Sequence, residues 1–356
     1  MTAILTEADR DLLVAAHGAG PDVVPAWHRW RDGINWDGEI PGDAFPLLPM
    51  VRRTLLAQGV DDALFPRFLG IARQSWLRNQ RRRASTVAWL ARWPVDAVLA
   101  LPPSAALFGD AARVLHGDAL HLAIRSVAAE PAVEQLLQIA EVIGPVRPPR
   151  RFLLGFVRGT GHVTCAVPEV GTITVSWRLD HWLGARAEGA WRDSVPLAVG
   201  APTLRVLSAT DEVAFLLRLP VGGRPLRWAA ELLATDLAAV DWESLSAALL
   251  ERPLAPEATA LLATLSPLRA DWPLAATARV GAYAPLTSAA SPVPDSALGR
   301  WRADWMRYRQ AWGGAFRWRT AVSQLPGYAL ARWQLAAPAD LPAAFLRWLR
   351  HGRTTT

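Results

Sequence analysis

The chain has 356 residues, of which 51% are hydrophobic, and a formal net charge of +6 at pH 7. This length and composition predict a packed globular protein with room for two domains. All 38 basic residues are arginine, which excludes Schiff-base lysine chemistry and the lysine of a phosphate-binding P-loop. The single Cys165 excludes an internal disulfide and a cysteine zinc site, and it fits a cytoplasmic location.

Neither a membrane span nor a signal peptide is expected. No apolar run reaches the roughly 18 residues that a span needs, and the first residues carry acids instead of a basic region. The positive charge is concentrated late in the chain, because residues 300–356 hold ten arginines and two aspartates. The rest of the chain is slightly acidic.

The N-terminal third is predicted to be helical. Its amphipathic segments are broken by Gly and Pro, and they cover 7–16, 22–33, 45–59 and, as one long helix, 63–93. The middle of the chain mixes both kinds of element. The pattern predicts a helix over 130–144, and strands over 96–101, 119–125, 152–157, 162–167 and 171–177.

Local patterns also predict the last strands and the helices of the C-terminal part. A hairpin is predicted from 195–199 and 203–207, and Gly159 with Gly161 indicates another hairpin turn. Ser208, with Asp211 three residues on, has the pattern of a helix N-cap. Helices are then predicted after Ser208 and over 226–237, 242–250, 301–318 and 341–351.

Several motifs occur in a fixed order along roughly residues 25–265. A leucine-rich segment leads into GVDD at 59–62 and then into a long helix with Trp76, Asn79 and Gln80. VSWRLD follows at 175–180, and LRW at 226–228 precedes DW at 241–242. In this order the motifs resemble those of the bacterial uncharacterised nucleotidyltransferase family, which has a polymerase-β-like core between helical regions.

The resemblance implies an α+β fold in three regions. A small mixed β-sheet nucleotidyltransferase-like core would cover 94–207. It would be flanked by an N-terminal helical region at 1–93 and by a C-terminal helical, Arg/Trp-rich region at 208–356.

The catalytic motifs of the family are changed in this chain. The family pattern L-K-G-A-A-L matches residues 102–107, where Pro103 replaces the lysine and Ser104 the glycine. The D-x-D pair falls on Ala119 and His121, or on Asp118 and Leu120 if the alignment slides by one residue, so the pair is broken in both registers. The third acid falls on Thr174. Nucleotidyl transfer of this type needs Mg²⁺, which binds carboxylate oxygens. We therefore expect no catalytic residues, no metal and no cofactor.

A residual pocket is nevertheless expected near these positions. Its candidate residues are Ser104, Asp118, His121, Trp177, Asp180 and His181. Each has a structural alternative: a histidine satisfied in the core or cleft for His121, a turn cap for Asp118, and a helix N-cap for Ser104. Asp180 and His181 resemble a base with its orienting acid, but as neighbours on a strand their side chains would point apart.

The chain has 18 tryptophans, and many of them cluster. Most are expected to pack in the core. The alternative is an aromatic surface for a partner, because Trp and Arg dominate interface hot spots. The partner-binding candidates lie on the late helix: Trp301, Arg302, Trp305, Arg309 and Trp312.

Three functions follow from these observations. The first is a nucleotidyltransferase-like pseudoenzyme that binds a protein or peptide partner, with peptide natural-product maturation as a setting that the resemblance suggests. The second is an active Mg- and NTP-dependent transferase that uses other acids, such as Asp118 with Asp180. The third is an Arg/Trp-rich binder of nucleic acid or of a membrane surface.

Overall fold

The computed structural model describes residues 5–36, 38, 40–108, 119–143, 147–198, 204–218, 225–251, 256–265, 268, 305–306, 308, 318–333, 335 and 337–351. Over these residues the chain combines many helices with a mixed β-sheet, so the predicted α+β class is confirmed. The nucleotidyltransferase-like core and the three-region division of the sequence stay predictions.

Most helices lie before and after the strands. In chain order the helices are α1 (Glu7–His17), α2 (Val23–Asp32), α3 (Leu48–Ala57), α4 (Phe65–Leu90), α5 (Ala105–Phe108), α6 (Ala129–Ile139), α7 (Leu153–Thr160), α8 (Asp180–Leu183), α9 (Ala187–Asp193), α10 (Ala209–Leu216), α11 (Pro225–Ala234), α12 (Trp242–Glu251), α13 (Pro256–Leu265), α14 (Trp318–Arg332) and α15 (Leu341–His351). The strands are β1 (Val98–Ala100), β2 (Leu120–Ile124), β3 (Glu141–Val142), β4 (His162–Val167), β5 (Gly171–Ser176), β6 (Val195–Pro196) and β7 (Leu204–Val206).

The chain forms two compact units from alternating segments. The first unit consists of Met1–Val87, Leu99–Asp118 and Leu179–Thr287. The second unit consists of Ala88–Val98, Ala119–Arg178 and Ser288–Thr356. Each unit draws residues from all three regions that the sequence suggested.

The first unit begins with a well-capped helix. The Thr6 side chain accepts a hydrogen bond from the backbone of Asp9, and the Asp9 carboxylate accepts one from the backbone of Thr6. This reciprocal capping satisfies backbone donors that a helix start leaves unpaired. The predicted N-cap of α10 is also confirmed, because Ser208 accepts from the backbone N–H of Asp211.

Aromatic packing dominates the core of the N-terminal helices. Trp27 is fully buried, and its ring lies 5.8 Å from Trp30 and 5.6 Å from Phe68, measured between centroids. The Trp27 indole N–H donates to the Asp62 carboxylate at 2.8 Å, and Arg31 donates to the same oxygen at 3.0 Å. For this first tryptophan cluster, core packing is therefore the observed role.

The second unit contains four strands in the order β3-β4-β5-β2. The neighbours β3 with β4 and β4 with β5 are antiparallel, whereas β5 with β2 is parallel. Strands β4 and β5, which the sequence predicted as separate strands, form an antiparallel hairpin. In the first unit, β6 and β7 pair antiparallel, which confirms the hairpin predicted from 195–199 and 203–207.

Two helices of the second unit, α7 and α14, pack through glycines. A methyl group built on Gly155 would collide with the backbone oxygen of Gln324, and one on Gly327 would collide with that of Phe152. The Gln324 side chain joins the same contact by accepting from the backbone N–H of Gly155 at 3.1 Å. The two backbones can approach this closely only because these positions lack side chains.

The structure corrects two predictions in this region. Residues 152–157 were expected to form a strand but form a helical turn and the start of α7. Short apolar runs fit a strand and a buried helix equally well, and here packing against α14 decides. Gly159 and Gly161 do not form a hairpin turn: Gly159 belongs to α7, and Gly161 ends it with φ +71°.

Other expectations agree with the structure apart from small differences in bounds. The helix predicted over 130–144 ends at Ile139, and β3 follows it. The helix at 341–351 is confirmed. Most of the helix predicted over 301–318 lies outside the described residues.

Candidate functional site

One face of the four strands in the second unit carries polar side chains. The register pairs His121 of β2 with Thr174 of β5, and Thr174 with Thr164 of β4. The hydroxyl oxygens of Thr164 and Thr174 lie 2.9 Å apart and form a hydrogen bond. These three side chains therefore form one row across three strands, and all three are half-buried.

Neighbouring rows extend this face in both directions. On one side the register aligns His162, Ser176 and Ala123, and on the other it aligns Ala166 with Thr172 and with Glu141 of the edge strand. We call this surface the polar sheet face; its polar members are His121, Glu141, His162, Thr164, Thr172, Thr174 and Ser176. Glu141 is exposed, and it is the one carboxylate among the described residues of these four strands.

The opposite face of the same strands is apolar and buried. It carries Leu120, Leu122, Val163, Cys165, Val167, Ile173 and Val175. Successive side chains on a strand point to opposite sides, so the alternation of polar and apolar residues fixes which face is which. Burial raises the pKa of the Cys165 thiol to about 11, which makes the thiol a poor nucleophile.

Burial also lowers the pKa of His121, and the nearby charge of His162 acts in the same direction. The His121 imidazole is therefore neutral at pH 7. A neutral imidazole both donates and accepts one hydrogen bond, and the threonine hydroxyls beside it do the same. The row can thus bind a polar ligand through hydrogen bonds, but it contains none of the carboxylate oxygens that Mg²⁺ prefers.

The three positions that the resemblance assigns to metal-binding acids lie close together. Ala119 lies just before β2 and two residues from His121, and Thr174 is the cross-strand partner of His121. Asp118 lies outside the described residues. Within the described part of the chain there is no group of three or more His, Cys, Asp or Glu that could hold a metal ion.

The remaining candidates for the residual pocket do not lie on the polar sheet face. Ser104 is buried in the first unit directly before α5, and Pro103 beside it is half-buried. Trp177 in the second unit is buried, and its indole N–H donates to the backbone oxygen of Val157.

Asp180 and His181 were considered as neighbours on a strand. They instead begin the short helix α8 of the first unit, and Asp180 is exposed. The backbone of residues 180–183 has the hydrogen bonds of a helix, so the expectation that Asp180 and His181 lie on a strand is wrong. Their role as base and orienting acid stays a prediction.

Of the C-terminal candidates, the structure describes Trp305. Its ring lies 5.6 Å from Tyr308, and both belong to a hydrophobic cluster with Tyr328 and Leu154. Trp305 is therefore partly buried by packing. Trp301, Arg302, Arg309 and Trp312 lie outside the described residues, and their role in partner binding stays a prediction.

Sequence reasoning missed five members of the polar sheet face: Glu141, His162, Thr164, Thr172 and Ser176. A usable signal was present, because polar residues alternate with apolar ones in HVTCAV at 162–167 and in TITVS at 172–176. The alternation identifies the residues of one face, but the row with His121 depends on the parallel pairing of β5 with β2.

Comparisons of the chain with protein-family models, with curated proteins and with solved structures gave no match. No helix among the described residues has both the length and the apolar character needed to cross a membrane.

Proposed function

We propose that this chain is a nucleotidyltransferase-like protein that does not carry out metal-dependent nucleotidyl transfer and that binds a protein or peptide partner in the cytoplasm. The observation that carries the proposal is the register that pairs His121 with Thr174 on the polar sheet face. The family resemblance assigns metal-binding acids to both positions, and neither residue is an acid.

The pairing supports the proposal because the two positions are far apart in sequence. A two-metal site needs its carboxylates on neighbouring strands, with side chains on the same face. Positions 121 and 174 pair across neighbouring strands, and position 119 precedes position 121 by two residues, which supports this part of the proposal. The residues present there, Ala, His and Thr, cannot replace the carboxylate oxygens around Mg²⁺.

The partner-binding half of the proposal is supported by an exposed surface on α4. Leu69, Trp76 and Leu77 expose 52%, 46% and 45% of their surface, and Arg73 and Arg81 are exposed on the same helix. Exposed apolar side chains grouped in this way are typical of interaction sites, and Trp and Arg are the residues most enriched at interface hot spots.

Restoring the missing acids tests the first half of the proposal. We expect the variant Ala119→Asp/His121→Asp/Thr174→Asp to bind Mn²⁺ and to gain thermal stability on its addition. The wild type and the variant with Asn at the same three positions should show no such gain. At a Mn²⁺ concentration about 100 times Kd the expected stabilisation is about 2.7 kcal/mol. The Asn variant matches the size of the new side chains without their charge.

Assays of nucleotide and nucleic-acid binding distinguish the proposal from the two alternative functions. Under the proposal, Mg²⁺ with ATP or GTP gives no thermal shift of the wild type and no pyrophosphate release. Release of labelled pyrophosphate that Asp118→Ala abolishes would instead establish an active enzyme with other acids. DNA or RNA binding that weakens steeply with salt would favour the nucleic-acid binder.

Co-purification from the native host, followed by mass spectrometry, tests whether the exposed surface of α4 binds a partner. Trp76→Glu/Leu77→Glu should lose a protein or peptide that the wild type retains. Val127→Glu is the matched control, because Val127 is 87% exposed and belongs neither to α4 nor to the polar sheet face. Equal recovery with all three proteins would contradict a role for α4 in partner binding.

A further inference from the structure

The second unit also contains a cleft whose lining includes no residue of the polar sheet face. It is a cleft of about 390 Å³ between the end of α4, helix α6 and the turn that joins β4 to β5. We call it the Trp89 cleft; its lining residues are Trp89, Arg92, Trp93, Gln135, Ile139 and the turn residues 167–169. This volume is within the range of small-ligand sites.

A rigid aromatic wall forms one side of the Trp89 cleft. The Trp89 and Trp93 rings stack with their centroids 4.8 Å apart and their planes at 28°. Both are buried, and the Trp93 indole N–H donates to the backbone oxygen of Ala132 at 3.2 Å. Ile139, which is 48% exposed, and Pro168 add apolar surface. This wall is held in place before any ligand binds.

A buried amide oxygen lies in the same lining. Oε1 of Gln135 is buried, and no group among the described residues donates a hydrogen bond to it. Buried polar atoms are nearly always paired, so this acceptor needs a donor, and a ligand N–H in the cleft supplies one once the Gln135 amide turns outward. A peptide group fits this need, because it carries an N–H donor and also an acceptor for the other atom of the glutamine amide.

Two exposed charges of opposite sign complete the lining, Arg92 and Glu169. Glu169 has φ +66°, in a turn closed by the hydrogen bond from Val170 N–H to the Val167 oxygen at 3.2 Å. Pro168 precedes it, and glycine is the usual residue at this second central position. A glutamate held in a left-handed conformation is strained, and strain of this kind clusters at ligand sites.

We propose that the Trp89 cleft binds a short apolar peptide with free termini. Its side chains would pack on the tryptophan wall, a main-chain amide would pair with Gln135, and its carboxylate and ammonium groups would meet Arg92 and Glu169. The inference rests on the proposed partner-binding function, and it adds a peptide site to the exposed surface of α4 that supports that function.

Calorimetric titration with the dipeptide Leu-Phe tests the inference. We expect the wild type to bind free Leu-Phe about tenfold more tightly than N-acetyl-Leu-Phe-amide, which lacks both charges. Gln135→Leu should weaken binding of the free dipeptide about tenfold. Gln138→Leu is the matched control, because Gln138 is exposed on the same helix outside the cleft lining. It should bind as the wild type does.

The variant Glu169→Gly distinguishes a loss of Leu-Phe affinity from a loss of protein stability. The substitution removes the negative charge and relieves the left-handed backbone, so the melting temperature should rise while Leu-Phe affinity falls about threefold to fivefold. Arg92→Ala should produce a similar loss of affinity.

The inference is overturned if the wild type does not bind Leu-Phe at about 10 mM, a concentration at which a Kd of about 1 mM would give nearly full occupancy. It is also overturned if Gln135→Leu binds as tightly as the wild type. That result leaves the proposed function standing if nucleotide is not turned over. Nucleotide turnover with intact Leu-Phe binding would refute the proposed function instead.

Discussion

The contact between α7 and α14 leads to a stability prediction with a definite sign. Gly155→Ala places a methyl group against the backbone oxygen of Gln324, which cannot rotate away as a side chain would. The helices must separate, and overpacking of this kind costs about 3 kcal/mol or more. Alanine's better helix propensity returns about 1 kcal/mol. We therefore expect a net loss of about 2 kcal/mol for the second unit.

Gly70 provides the matched control. It lies inside α4, and a methyl group there would meet no atom within 4 Å. Gly70→Ala should therefore stabilise the protein by about 1 kcal/mol through helix propensity alone. Gly327→Ala, which faces the backbone oxygen of Phe152, should behave like Gly155→Ala.

Urea unfolding followed by circular dichroism measures all three variants, with thermal melting as a second probe. The free energies of unfolding should differ by about 3 kcal/mol between Gly70→Ala and Gly155→Ala. If Gly155→Ala is as stable as the wild type, the two helices do not approach as closely as described, and the packing argument fails.

Three further predictions concern titratable groups. Burial acts to raise the pKa of Asp62, but hydrogen bonds from a backbone N–H, Trp27 and Arg31 outweigh it and lower that pKa. The stability advantage of the wild type over Asp62→Asn should therefore be full well above pH 4 and should shrink in urea titrations as pH falls through the lowered pKa; a constant difference would contradict this. The pKa of His121 is lowered by burial and by a neighbouring histidine, so the unfolded chain binds more protons in mild acid. Stability should fall from about pH 6.5 downward, less so in His121→Gln, and equal slopes would argue against it. Cys165, with its pKa raised to about 11, should resist thiol reagents at pH 8 until urea unfolds the chain; rapid labelling of the native protein would refute its burial.

Local patterns in the sequence determined much of the secondary structure. The N-terminal helices, the Ser208 cap and the strands β4 and β5 follow from spacing, capping residues and alternation, which act within a few residues of chain. The absence of acids at positions 119, 121 and 174 is also a property of the sequence alone.

Only the tertiary structure decided the features that depend on distant residues. Residues 153–160 are helical because glycines let α14 approach, and no local signal distinguishes that helix from a buried strand. The row of His121, Thr174 and Thr164 exists because β5 pairs parallel with β2, and the Trp89 cleft exists because α4, α6 and a hairpin turn meet. Pairing and packing between segments far apart in sequence leave no trace in local periodicity, because periodicity records which face of a segment is apolar and not which distant segment covers that face.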